Sequence, residues 1–346
     1  MKITRILVCA LLLLSLLLSV SACGYPEIES SEEELATVLT LDGKYEIPYE
    51  QYRFLFLSER GLLDKDEEAA FSALHEEVLE ELCTFYATFS LAEKYGIDPY
   101  SKELNEAVKE GVKDTVEGGN GALSYAGVGD HDAYLEAIRA SYMNDSVFRF
   151  LLRYRALEAK LGAKLRDEGI IRSDKESVLA YMNSEECVRV SWIYIPNTVL
   201  PNYTEADLAQ KLESARAASD EEFLRMTHEV IPDTYTDAQL EAGFYLGRYQ
   251  LDPYYEALTD AVFSLDLGET SNLVSSGDGV YIVRRLPKDA AYLDKAENLP
   301  DFTEYFLLNQ YYKLLAEEAE RLAQGVSYAE RFYSLTLDGI RMPEKE

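Results

Sequence analysis

Histidine and cysteine are scarce, with three and four in 346 residues. So few imidazoles and thiols leave little material for metal ligation or redox chemistry, and neither a metal nor a cofactor is expected. Basic residues are also short: 33 Lys and Arg face 63 Asp and Glu, a formal net charge of −30. Nucleic acid is therefore not an expected partner, because neutralising phosphates needs clustered cations. Polybasic attraction to anionic headgroups fails for the same reason. There is no internal repeat and only 1 Trp. What is present is 47% hydrophobic residues with 26 Tyr and 13 Phe. That content is too apolar for a disordered acidic polymer, and a chain of this length is expected to form about two domains.

The first 22 residues read as a targeting segment rather than part of the fold. Lys2 and Arg5 precede an uncharged run from Ile6 to Ala22, 17 residues long. A spanning helix needs about 20 apolar residues, so the run has the shape of a secretory signal. It closes on Val20-Ser21-Ala22-Cys23-Gly24, which resembles a bacterial lipobox. Cys23 is then the lipidation site, and the body lies on the extracytoplasmic face of the cell membrane. An ordinary signal peptide would leave Cys23 incidental. Cleavage removes two cations and no acid, taking the charge from −30 to −32. Cys83 and Cys187 would remain; a disulfide between them stays open, and Cys83 falls at a core position of a helix. Residues 23–36, with five Glu and no base, read as an acidic flexible tether.

Residues 37–186 open on a strand with an Asp42-Gly43 turn and then show helical period throughout. Pro48 is placed in the first turn of a helix. Phe71, Leu74, Val78, Leu82, Phe85 and Phe89 form the stripe of a longer one, and further helices are predicted near 101–117, 130–142 and 144–168. The pattern changes at Val188-Arg-Val-Ser-Trp-Ile, a β-branched and aromatic strand. Helices at 204–218, 220–229 and 253–263 and strands at 271–275 and 279–285 complete a compact α+β region over 187–288. From 289 the chain returns to helix, with Asp301 and Glu304 as a capping-box-like start. Its apolar stripe needs a host, and the earlier helical region is the obvious one.

This order of parts resembles the SurA/PrsA type of extracytoplasmic foldase. The residues that carry the resemblance are Leu41-Asp-Gly-Lys-Tyr-Glu-Ile-Pro48, Ala92-Glu-Lys-Tyr-Gly-Ile97, Val190-Ser-Trp-Ile193, Phe223, Leu246-Gly-Arg-Tyr249, Pro253-Tyr-Tyr255, Gly268-Glu-Thr-Ser271 and Gly279-Val-Tyr-Ile-Val283. The resemblance implies a helical chaperone domain built from both chain ends, 37–186 and 289–346, with an inserted parvulin-like β-α-α-α-β-β domain at 187–288. It implies unfolded or partly folded secreted polypeptides as partners, and attachment to the membrane through Cys23.

By the same resemblance, the parvulin-like domain would carry a proline pocket at Leu246, Leu251 and Tyr255, with Asp233 at the family's Cys/Asp position. The barrier in prolyl isomerisation is torsional, about 18–20 kcal/mol, so catalysis means binding the twisted amide best. The family uses two buried His for this. Trp192 and Tyr281 stand at those positions, keeping donors but not the imidazole's two-nitrogen relay. Prolyl isomerase activity is accordingly expected to be weak or absent. The alternatives are an active isomerase with a non-standard site and, more remotely, a solute-binding lipoprotein, which would need strands alternating with helices through two lobes.

Overall fold

The computed structural model describes residues 25–62, 70–119, 125–230, 235–249, 256–295 and 298–342. The chain divides into two units: Met1–Leu165 with Leu315–Glu346, and Arg166–Leu314. Cys23 and the targeting segment lie outside the described residues.

The first unit starts with a correction. Residues 25–36, expected as a flexible tether, are held against the unit. Ser31 caps the short helix α1 (Glu32–Leu35) in a capping box with Glu34. Glu34 pairs with the buried Arg53 at 2.8 Å, and Arg149 Nη2 donates to the Tyr25 carbonyl at 3.0 Å. The acidic composition suggested extension, but both cationic partners lie outside the segment, Arg149 more than a hundred residues along the chain. Next, β1 (Thr37–Leu41) and β2 (Tyr45–Pro48) form a hairpin with Leu39 opposite Ile47. Asp42 and Gly43 both have positive φ, 52° and 62°, the backbone of a type I′ turn, which the Lys44 amide closes by donating to the Leu41 carbonyl at 3.0 Å. Pro48 ends β2 rather than starting the helix, which is α2 (Tyr49–Leu62).

Helices α3 (Phe71–Lys94), α4 (Lys102–Glu117), α5 (His131–Ala140) and α6 (Asp145–Asp167) follow. Leu74, Val78, Leu82 and Phe89 of the stripe read from the sequence are buried on α3, and the helix predicted near 144–168 is α6, which buries Val147, Leu157, Leu161 and Leu165. Between α4 and α5, β3 (Gly118–Gly119) pairs with β4 (Tyr125–Ala126).

In the second unit, α7 (Lys175–Asn183) leads into β5 (Cys187–Pro196). Then come α8 (Glu205–Ala217), α9 (Asp220–Val230), α10 (Asp237–Ala242), β6 (Phe244–Gly247), α11 (Glu256–Ser264), β7 (Val274–Ser276) and β8 (Gly279–Leu286). The antiparallel sheet runs β6-β5-β8-β7. Alternation along β5 divides its side chains between two cores. Val188, Val190 and the half-buried Trp192 pack with Leu258 and Val262 of α11. Ile193 and Ile282 pack with Ala215 of α8 and Phe223 of α9. Buried Arg284 closes that second side, donating to the Ala215 and Ala218 carbonyls at the end of α8 at 2.6 and 3.0 Å.

Helix α12 (Asn298–Gln324) begins one turn before the expected start, so Asp301 lies in its first turn rather than at its cap. Its first half packs Phe302 and Phe306 against Tyr181 and Cys187 in the second unit. Its last turns belong to the first unit: Arg321 meets Asp42 at 2.7 Å, and β9 (Ser327–Tyr328) pairs with β1. The helical unit is thus built from both ends of the chain, and the fold is α+β as expected. Among the described residues, no helix is long and apolar enough to cross a membrane.

Candidate functional site

The face of the sheet that carries Trp192 is built from rings. In the register of β5 and β8, Trp192 lies opposite Val283 and Tyr194 opposite Tyr281, so the indole and both phenols share one face. Phe244 of β6 comes to the same face opposite Val190. Trp192 stacks on Phe244 with centroids 3.9 Å apart and planes 5° from parallel. Its other neighbour, Tyr281, meets it edge-on at 5.8 Å and 83°. Tyr194 stacks on Tyr281 at 4.7 Å, and Tyr235 meets Phe244 edge-on at 5.0 Å. Leu246 packs beside them.

Few polar groups enter this shelf. The Tyr281 hydroxyl donates to Asp278 Oδ2 at 2.8 Å, and the Tyr194 hydroxyl donates to the Asp278 carbonyl at 3.2 Å. Thr227 Oγ1 donates to the Trp192 carbonyl at 2.7 Å, holding α9 to the strand behind the indole. Two buried atoms have no hydrogen-bond partner among the described residues: the donor Trp192 Nε1 and the acceptor Asp278 Oδ1. Burial raises the pKa of the Tyr235 hydroxyl, and the nearby indole donor offsets part of the rise although it falls short of a well-formed bond. Among the described residues of the shelf, none forms an acid–base pair or an activated nucleophile. What the shelf offers is a flat aromatic surface with one unpaired donor and one unpaired acceptor.

Of the residues expected to form a site, the structure brings Trp192, Leu246 and Tyr281 together. Asp233, Leu251 and Tyr255 lie outside the described residues, as does Cys23. His75 and His131 belong to the helical unit, and the side chain of His228 is outside the described set. Sequence reasoning missed Tyr194, Tyr235, Phe244 and Asp278. Two of these carried a signal: Tyr194 is two residues after Trp192 on a strand, and Phe244 two before Leu246, so period-2 alternation assigns both to the marked face.

Cys83 and Cys187 are unpaired and buried, and burial pushes their thiols up to about 11 and about 12.

No protein-family model matches the chain. Among curated proteins, the chaperone SurA of Albidiferax ferrireducens is 28% identical over 153 residues, 44% of this chain and 33% of that protein. The match therefore spans about a third of the relative's length. Among solved structures, the foldase protein PrsA of Streptococcus pneumoniae is 15% identical, with a TM-score of 0.29 over 79% of this chain and 96% of that one. A structure from work on the SurA-like chaperones PEB4 and Cj1289 of Campylobacter jejuni is 13% identical, with a TM-score of 0.30 over 85% of this chain and 100% of that one. The SurA/PrsA-type resemblance read from the sequence is thus matched by a SurA relative.

Proposed function

From this kinship with the SurA/PrsA type, we propose that the chain is an extracytoplasmic foldase that holds unfolded secreted polypeptides and is anchored to the membrane by a lipid on Cys23. Its helical unit does the holding. The sheet unit is an accessory whose prolyl isomerase activity is weak or absent. The observation that supports this division is the stack of Trp192 on Phe244 at 3.9 Å with Tyr281 edge-on beside it. At the two positions where the family places imidazoles, this chain has rings that fill a core. Twisting an amide requires charge-matched groups aimed at the rotating carbonyl and nitrogen. An aromatic shelf binds apolar side chains, and among its described residues it offers a single indole donor and a single carboxylate acceptor in place of the imidazole pair.

Light scattering from a chemically unfolded client tests the holding role: aggregation should fall as the lipid-free mature chain approaches equimolar amounts. Undiminished scattering would refute it. A protease-coupled assay on a proline tetrapeptide tests the accessory role, and the rate should stay at the uncatalysed value, which runs over tens of seconds.

The alternative, an active isomerase with a non-standard site, has one observation in its favour. Trp192 Nε1 and Asp278 Oδ1 are a donor and an acceptor without partners among the described residues. Catalysis lost in both Trp192→Phe and Asp278→Asn would establish it. A solute-binding lipoprotein is disfavoured by the antiparallel sheet order β6-β5-β8-β7, since that class relies on strands alternating with helices.

A further inference from the structure

Residues 25–28 lie on the helical unit in a way that bears on how it takes polypeptide. Their backbone is read by two side chains one turn apart on α6. Arg149 Nη2 donates to the carbonyls of Tyr25 and Pro26 at 3.0 and 3.3 Å. Asp145 Oδ2 accepts the Ile28 amide at 2.9 Å. Both side chains are buried and pre-set: Arg149 Nε donates to Asp145 Oδ2 at 2.8 Å, and the Tyr134 hydroxyl donates to Asp145 Oδ1 at 2.6 Å. The segment contributes one anchoring side chain. Tyr25 stacks on His131 at 5.4 Å and 9° and packs on the cluster of Val112, Val116, Tyr134 and Ile138 from α4 and α5. Pro26 and Glu27 are exposed, and Ile28 remains 43% exposed.

This is recognition of main chain plus one aromatic ring. It places no demand on the other side chains, which is the requirement for binding unfolded polypeptides of unrelated sequence. We propose that the groove of α4, α5 and α6 is a client-binding site for an extended polypeptide with an aromatic residue, occupied in cis by the chain's own residues 25–28. The inference rests on the foldase reading and gives it a location and a regulator. The strap competes with clients, so apparent client affinity is the intrinsic affinity reduced by the fraction of molecules whose strap is open.

Fluorescence anisotropy of a labelled peptide Tyr-Pro-Glu-Ile-Glu-Ser, copied from residues 25–30, tests this on the lipid-free mature chain. The variant Tyr25→Ala/Ile28→Pro loses the ring and the donated amide, so the strap should release. It should bind the peptide on the order of tenfold more tightly than the unmodified chain. Adding Arg149→Ala should abolish the gain, and N-methylation of the peptide at its Ile nitrogen should do the same. A folded double variant that binds the peptide no better than the unmodified chain overturns the proposal. Should the double variant not fold, hydrogen exchange at the Ile28 amide of the unmodified chain decides: excess peptide should accelerate it, and unchanged exchange overturns the proposal. If these tests fail while aggregation is still suppressed, only this groove is wrong; if suppression fails too, the foldase reading falls with it.

Discussion

At the scale of single residues, the aromatic shelf is a packing device, and its members can be weighed separately. Trp192 is half-buried, and truncating it removes the stack on Phe244 and the edge contact with Tyr281. Trp192→Ala should cost about 2–3 kcal/mol, below the range for a fully buried ring, measured as a shift in the denaturant midpoint at constant slope. Tyr281→Phe removes a single hydrogen bond to Asp278 and should cost about 1 kcal/mol. A loss in the first variant no larger than in the second would mean that the indole is not a core element. Gly247 makes the opposite point. A Cβ there would come within 2.2 Å of both Asn309 Nδ2 and the Tyr181 hydroxyl, so β6 can lie against α7 and α12 only with hydrogen in that place. Gly247→Ala should destabilise by about 1–3 kcal/mol, the usual penalty for overpacking. The thiols give a simpler test. With pKa values pushed to about 11 and about 12 by burial, Cys83 and Cys187 should resist Ellman's reagent at pH 8 in the native lipid-free Cys23→Ser form and react on unfolding. Rapid native labelling would show that the thiols are accessible.

At the scale of elements, the N-terminal strap is the part that composition misdescribed. Its glutamates gave no apolar period, and the partners of its first residues lie more than a hundred residues away: Asp145 for the Ile28 amide, Arg149 for the Tyr25 carbonyl. Long-range charge pairing leaves no local trace in a sequence. Helices with an apolar stripe, such as α3 and α6, were legible because their period of 3.6 is itself the packing rule. The short helix α7 and the strand β6 were not, since nine and four residues carry too little periodicity. The closing strand β9 is two residues long and exists only through β1. Two consequences follow for the strap. Arg53 is buried opposite Glu34, so Arg53→Ala should cost about 3 kcal/mol by leaving a largely buried carboxylate unpaired. Burial of Glu34 raises its pKa, but hydrogen bonding and attraction from Arg53, with the Ser31 amide and Asn144, outweigh this and hold it below its usual value of 4.5. A depressed folded-state pKa stabilises above the unfolded value and is lost as pH falls through the folded one. The Glu34 contribution to holding the strap should therefore be lost on acidification below pH 4.5, as read by exchange at the Ile28 amide.

At the scale of the whole molecule, the charge of −30 and the rings divide the labour. On the foldase reading, like-charge repulsion keeps an acidic body dispersed and away from anionic headgroups while it holds apolar segments. On the proposed lipid anchoring, Cys23→Ser should move the protein from the membrane fraction to the soluble extracytoplasmic fraction. Client binding through main chain and aromatic contacts should change little with salt, whereas binding driven by the net charge would weaken as the Debye length shrinks from about 10 Å at 0.1 M to about 3 Å at 1 M. The most direct test of holding without isomerisation is the refolding of an unfolded client whose slow phase is limited by an X–Pro bond. Increasing amounts of the mature chain should raise the yield of native client and leave the slow rate constant unchanged. A slow phase that accelerates in proportion to the added chain, with no gain in yield, would contradict the account.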